Sequence, residues 1–308
     1  MWKIAVLLTC HNRKDKTLSS LRSLYEALDI YNNKSEGEVI SLTTFLTDDG
    51  STDNTAEEVI NAFKGIDIHV INGDGNLFWA KGMILAWKAA MNYSNDWDFY
   101  LLINDDTLMK FNLFDELVEA HRYALDYFGV GGIYSGVTGS ISNPEEVTYG
   151  GDFWVDGSYS KTKKLLPNGT PQRCNMTNAN IFMVDKSVVD KIGIFYPYKH
   201  GGADNDYTIH ACKRNIPVLI TGEICGLCDM DHVCGEDLRN KLANMSLKER
   251  VKYFSSPLHS THDKLIFTWR NMPLRFPYVW FGRMMDILFP SFYTRLHSFI
   301  DKKRSATQ

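Results

Sequence analysis

The sequence predicts an α/β fold in which a mixed, mostly parallel sheet is flanked by helices, with a helical extension at the C-terminal end. Three observations carry this expectation. Over residues 1–106 short apolar runs alternate with helical patterns, the mark of successive βαβ units. Each apolar run ends in a polar cluster, as strands do at the ligand-binding edge of an open sheet. The last hundred residues change character, and from Phe276 onward aromatic and basic residues interleave.

In chain order, residues 4–8 (Ile-Ala-Val-Leu-Leu) form a first buried strand that runs into Thr9-Cys10-His11-Asn12-Arg13. Residues 16–31 carry Leu18, Leu21, Leu24, Tyr25 and Leu28 at helical spacing and make an amphipathic helix. Residues 39–46 form the second strand, closed by Asp48-Asp49-Gly50-Ser51-Thr52-Asp53. A helix over 54–63 and a strand over 66–71 follow. After Gly73-Asp74-Gly75-Asn76, a helix over 81–93 leads into an apolar strand that ends in Asn104-Asp105-Asp106. Right-handed crossovers place the carboxyl ends of these strands on one edge of the sheet, so Asn12, Asp49, Asn76 and Asp106 converge. Beyond them, residues 149–169, rich in Gly, Ser and Lys, read as a flap or hairpin. Residues 177–184 read as a strand, 186–192 as a short helix, and Gly201-Gly202-Ala203-Asp204-Asn205-Asp206-Tyr207 opens a helix reaching Asn215.

Composition narrows the function classes. A chain of 308 residues with 44% hydrophobic content can bury a full core, and its net charge of -4 gives no global reason to bind nucleic acid. Six cysteines, unevenly spread, do not read as a disulfide framework, which points to a reducing cytoplasmic setting. No stretch of about 18 apolar residues occurs, so no membrane-spanning helix is expected.

Chemistry concentrates where the fourth strand ends. Side chains alternate along a strand, which would put Asn104 and Asp106 on one side and Asp105 on the other. Hard oxygen ligands of this kind suit Mg²⁺ or Mn²⁺, which take their remaining ligands from water and substrate phosphates. A polar turn closing a buried strand is the alternative. Ser51 or Asp53 can cap the helix that follows them. Lys81, at a helix start, suits either a diphosphate contact or plain solvation. The Cys225–Cys228 pair has the spacing of a zinc turn with His232 and Cys234 nearby, but the last two lie only two residues apart and no second pair follows. Trp79, Trp154 and Tyr207 are candidate platforms for a sugar ring, whereas Trp87 and Trp97 fall within core patterns.

Four segments together carry a family resemblance: Leu8-Thr9-Cys10-His11-Asn12-Arg13, Thr47 to Thr55 (TDDGSTDNT), Gly75-Asn76 with Lys81-Gly82, and Asn104-Asp105-Asp106. In order and spacing they resemble the nucleotide-sugar-binding half of family 2 glycosyltransferases of GT-A fold, and rhamnosyltransferase-like members in particular. The resemblance covers roughly residues 3–235, with weaker support to Arg270-Asn271. It implies an inverting, metal-dependent transfer from a nucleotide-sugar donor (dTDP-rhamnose or a UDP-sugar) to a hydroxyl of a glycan or lipid-linked acceptor, in bacterial surface polysaccharide assembly. Thr9, Asn12 and Arg13 would then line the nucleotide pocket and Asp49 would meet the nucleobase. Asn76, Lys81, Asn104 and Asp105 would complete the donor site. Asp106 would hold the Mg²⁺ or Mn²⁺, with His232 completing the coordination or touching the diphosphate. The family's acidic motif at a helix start maps Asp204 onto the general base, with Asp206 and Trp154 toward the acceptor.

The resemblance also divides the chain into a catalytic domain over residues 1–235 and a helical extension over 236–308. Residues 276–304 form an aromatic, basic tail that either lies on an anionic membrane at the inner face of the plasma membrane or packs on the catalytic domain or a dimer mate. A noncatalytic nucleotide-sugar or glycan-binding protein of the same fold is the competing expectation. A Rossmann dehydrogenase is excluded, because Thr-Cys-His-Asn-Arg stands where Gly-x-Gly-x-x-Gly would be required.

Overall fold

The alternation of apolar runs and helical patterns folds as a layered sheet. The computed structural model describes residues 1–34, 37–155, 161–230 and 235–293. It divides into two compact units, Met1–Met230 and Asp231–Gln308.

The first unit begins β1 (Trp2–Cys10), α1 (Lys14–Lys34), β2 (Ile40–Asp48), α2 (Thr55–Ala62), β3 (Ile68–Asn72), α3 (Phe78–Tyr93) and β4 (Phe99–Ile103). There follow β5 (Leu108–Met109), α4 (Leu113–Phe128), β6 (Ile133–Gly139), β7 (Val147–Tyr149), β8 (Gly151–Trp154), β9 (Thr162–Lys164), β10 (Gln172–Arg173), β11 (Met176–Thr177), β12 (Ile181–Asp185), α5 (Lys186–Ile192), α6 (Ala203–Cys212) and β13 (Val218–Leu227). The main sheet runs β10-β13-β6-β12-β4-β1-β2-β3. Strands β4, β1, β2 and β3 are parallel, whereas β12 is antiparallel to both β4 and β6. A separate antiparallel sheet of β11, β8 and β9 follows Tyr149, in line with the hairpin alternative read from the sequence.

The parallel strands are covered on both faces, which is why β1 reads as an unbroken apolar run. Ile4, Val6 and Leu8 join Leu21 and Leu24 of α1 and Leu117 of α4 in one buried cluster. Trp87 of α3, fully buried, packs with Tyr100, Phe195 and Tyr207. Tyr207 is therefore a core residue, its hydroxyl donating to Gly193 O, and not the sugar platform expected of it.

Two boundaries shift for identifiable reasons. Helix α1 begins two residues earlier than its apolar spacing suggests, because Asp53 accepts from the Lys14 N–H. Helix α3 begins at Phe78 rather than Lys81, because Asp49 accepts from the Leu77 and Phe78 N–H groups.

The second unit contains α7 (Gly235–Asn244), α8 (Leu247–Ser255), α9 (Thr261–Asn271) and α10 (Phe276–Leu288). A capping box between Ser246 and Glu249 starts α8, and Ser260 caps α9 through the Asp263 N–H. Arg250 ties the helices together by donating to Met245 O and Ile287 O, and Arg283 stacks 3.8 Å above the Phe254 ring. Among the described residues no helix is long and apolar enough to cross a membrane.

Candidate active site

The loop after β1 is pinned to the loop after β2. Asn12 takes a positive φ of 51°, its N–H donates to Ser51 Oγ, and its side-chain oxygen accepts from the Thr52 N–H. His11 Nδ1 lies 2.7 Å from Asp49 O. Asp53 accepts from both Lys14 N and Thr55 N and so serves the starts of α1 and α2 together. These bonds fix the point from which Arg13 projects.

Asp49 is buried, and its carboxylate accepts three backbone bonds: Gly75 N at 2.8 Å, Leu77 N at 2.9 Å and Phe78 N at 3.0 Å. The expected nucleobase ligand is thus also the anchor of the β3–α3 loop. Gly50 beside it has φ 73°, which an L side chain rarely adopts, and its Cα faces Gly75 closely. Phe78 holds φ 54°, an outlier for an aromatic residue, and the bond from its N–H to Asp49 sustains it. Asn76 is exposed at the tip of this loop, in a turn with Asp74, and Lys81 is exposed in the first turn of α3.

Thr9 stands near the end of β1 against α3. It is buried, and a Cβ on Gly82 would collide with its hydroxyl, so Thr9 sets the close approach of β1 and α3.

Strand β4 stops at Ile103, so alternation does not govern the residues after it. Asn104 to Thr107 form a turn, with Thr107 N donating to Asn104 O. Asp105 and Asp106 occupy its centre and both face one guanidinium. Arg13 Nη1 lies 3.1 Å from Asp105 Oδ1 and 2.8 Å from Asp106 Oδ2. The expectation that the two carboxylates point to opposite sides is therefore corrected. Burial pushes the Asp105 carboxyl up to about 6, against the pull of Arg13 and with the Asp106 charge adding. Lys16 approaches Asp106 to 3.8 Å, and the Cys228 thiol lies 3.8 Å from Asp106 Oδ1. Asn104 accepts from the Trp79 indole at 2.8 Å, so Trp79 orients that amide.

Asp204 stands in the first turn of α6, after Gly202 with φ 87°. It is buried, and accepts from Ala179 N at 3.2 Å and from Asn205 N at 2.8 Å. Burial raises its carboxyl above the ordinary value, and those bonds oppose the shift. The backbone leading into β12 links it to the acidic turn, for Ala179 donates to Asp204 while Asn180 O accepts from Asn104 N. Asp206 is buried one turn-position further on. Trp154 ends β8, half-buried, its N–H bonded to Asn175.

Lys16 and Asn180 were not singled out from sequence, and Cys228 was considered there only as half of a zinc turn and not as a neighbour of Asp106. Lys16 could have been found, since it follows Arg13 by three residues at a helix start. Asn180 depends on the antiparallel insertion of β12 and Cys228 on the pairing of β13 with β5, neither of which a local pattern reveals. His232 and Cys234 lie outside the described residues. Cys225 is fully buried within β13, its Sγ against Gly136. Among the described residues no group of three or more His, Cys, Asp or Glu gathers to hold a metal ion. The donor set at the turn is one hard carboxylate, Asp106, with Oδ1 not taken by Arg13. That suits an ion such as Mg²⁺ or Mn²⁺, which binds through one or two carboxylates and draws its other ligands from phosphate and water.

The family model described as "Glycosyl transferase family 2" matches residues 5–189. No curated protein matches. Among solved structures, S. aureus TarS 1-349 in complex with UDP-GlcNAc is 13% identical with a TM-score of 0.52, covering 93% of this chain and 82% of that one. The longer S. aureus TarS chain is 13% identical with a TM-score of 0.51, over 92% of this chain and 44% of that one. GalNAc-T7 with UDP, GalNAc and Mn²⁺ is 15% identical with a TM-score of 0.51, over 74% and 43%. The chain therefore spans less than half the length of the longer TarS. At these identities the likeness is one of fold.

Proposed function

The chain belongs to glycosyl transferase family 2, and from that premise we propose that it is an inverting transferase moving a sugar from a nucleotide-sugar donor to an acceptor hydroxyl. The observation that carries the proposal is the joining of two acidic sites by one short backbone segment. The Arg13–Asp105–Asp106 turn and the buried Asp204 both bond to residues 179–180.

In this reading the nucleobase enters beside Gly50, where Asp49 keeps lone pairs beyond its three backbone bonds for an imide N–H. Asn104, oriented by Trp79, accepts a hydroxyl of the ribose or sugar. Arg13 and Lys16 bring positive charge to the diphosphate and oppose the negative charge that grows on it as the sugar leaves. Asp106 would hold Mg²⁺ or Mn²⁺, which when bound polarises the diphosphate as a Lewis acid. The GalNAc-T7 structure, which holds UDP with Mn²⁺, supports that choice. Asp204 accepts the proton of the acceptor hydroxyl as it attacks the anomeric carbon from the face opposite the diphosphate, which inverts the configuration. Its raised affinity for protons makes it a stronger base than an exposed carboxylate. Rhamnosyl or another hexosyl transfer to a glycan or lipid-linked acceptor, in bacterial surface polysaccharide assembly, is the proposed context.

Release of free nucleoside diphosphate from a panel of UDP, dTDP, GDP and CDP sugars tests this. One nucleotide should be turned over by the wild type and bound but not turned over by Asp204→Asn. Equal turnover by that variant would overturn the assignment of the base and favour a binding protein.

A further inference from the structure

A helix on a water-facing surface ordinarily turns its charges outward and its apolar side inward. Helix α10 is apolar nearly all round and leaves one apolar side to water. At about 100° per residue, Tyr278, Trp280, Phe281 and Leu288 fall on one side, and all four are exposed. Arg283 and Asp286 fall on the opposite side, where Arg283 stacks on Phe254 within the unit. The apolar face continues beyond the helix at both ends. Leu274, in the turn before it, is 91% exposed, and Phe289, just after it, is exposed too.

Isolated exposed apolar residues are ordinary, but a contiguous aromatic face of this kind marks a contact surface. Charge identifies what it contacts. Residues 231–308 carry 13 Lys and Arg against 7 Asp and Glu, whereas residues 1–230 carry 20 against 30. A second copy applied about a two-fold axis would set the positive unit against itself, and like charges oppose such an interface. An anionic surface complements it. The face also carries Tyr278 and Trp280, residue types whose amphipathic rings settle at the headgroup level of a bilayer.

We propose that α10 and its flanks form a docking face for an anionic lipid bilayer, lying in the interface without crossing it. Apolar burial of the aromatic side supplies the depth of insertion, and the basic character of the unit supplies selection for anionic headgroups. This stands on α10 and its charge surroundings, independently of the transfer chemistry.

Co-sedimentation of the full chain with vesicles tests it. Binding is expected to vesicles containing about 30% phosphatidylglycerol in phosphatidylcholine, and to fall about tenfold or more on pure phosphatidylcholine or at about 0.5 M salt. The double substitution Tyr278→Ser with Phe281→Ser should lower vesicle binding at least about tenfold while the melting temperature stays that of the wild type, since both side chains are exposed. In the unmodified protein, brominated lipid should quench tryptophan fluorescence, a readout that does not depend on how a variant folds. Absence of both sedimentation and quenching overturns the proposal. So does a solution dimer that the double substitution converts to monomer, because the face then belongs to a second copy.

Discussion

Arg13 holds two carboxylates with one nitrogen, whereas the buried Asp204 accepts from the Ala179 and Asn205 N–H groups, so the two acidic sites differ in kind. In the proposed reading the first exchanges Arg13 for a divalent ion that arrives with the diphosphate, and the second takes up a proton. A carboxyl whose affinity for protons is raised on folding binds more protons in the folded state than in the unfolded chain. Stability therefore falls as pH rises from the ordinary value of 3.8 through the raised one. Asp204→Asn should flatten that part of the melting-temperature profile and lower turnover by about 10²–10⁴ without weakening donor binding. The ascending limb of kcat/KM with pH should lie above the ordinary carboxylate range in the wild type and vanish in the variant. A limb that persists unchanged would assign the base elsewhere. These roles were partly legible in the sequence. Asp204 is placed at a helix start by Gly201-Gly202 before it, whereas the double engagement of Arg13 was hidden, because it depends on β4 ending at Ile103 and not on any spacing of charges.

At the scale of elements, the site is built from loops that hold one another rather than from side chains aimed independently. Asp49 bonds the loop between β3 and α3, Asn12 bonds the loop after β2, and Thr9 packs against Gly82 so that α3 rides close on β1. A side chain at position 82 breaks that approach. Gly82→Ala should destabilise the protein by about 1–3 kcal/mol, and Thr9→Ala in the same chain should restore part of the loss. Equilibrium denaturation of the two single variants and the double variant measures this, and strict additivity would contradict the contact. The parallel strands and their order of appearance could be read from the apolar runs, since strands buried on both faces carry a strong local signal. The antiparallel β12 between β4 and β6 could not, because a buried strand has the same pattern in either direction. That insertion brings Ala179 and Asn180 to the acidic turn, so the link between Asp106 and Asp204 stayed out of reach of the sequence.

For the whole molecule, the family match over residues 5–189 covers the donor loops and the acidic turn and stops short of Asp204. The fold likeness extends further, over 93% of the chain against TarS 1-349. The two units also divide the charge, a net-negative one bearing the acidic site and a net-positive one bearing the exposed aromatic face. In the proposed reading the Asn104–Asp106 turn receives the donor diphosphate together with a divalent ion. Calorimetric titration of UDP and dTDP into the wild type and Asp106→Ala, each with and without Mn²⁺, tests it most directly. The account predicts that one nucleotide binds the wild type about tenfold or more tightly with Mn²⁺ than without, and that Asp106→Ala abolishes this difference. Binding that is indifferent to Mn²⁺, or equally strengthened by it in Asp106→Ala, would contradict the account.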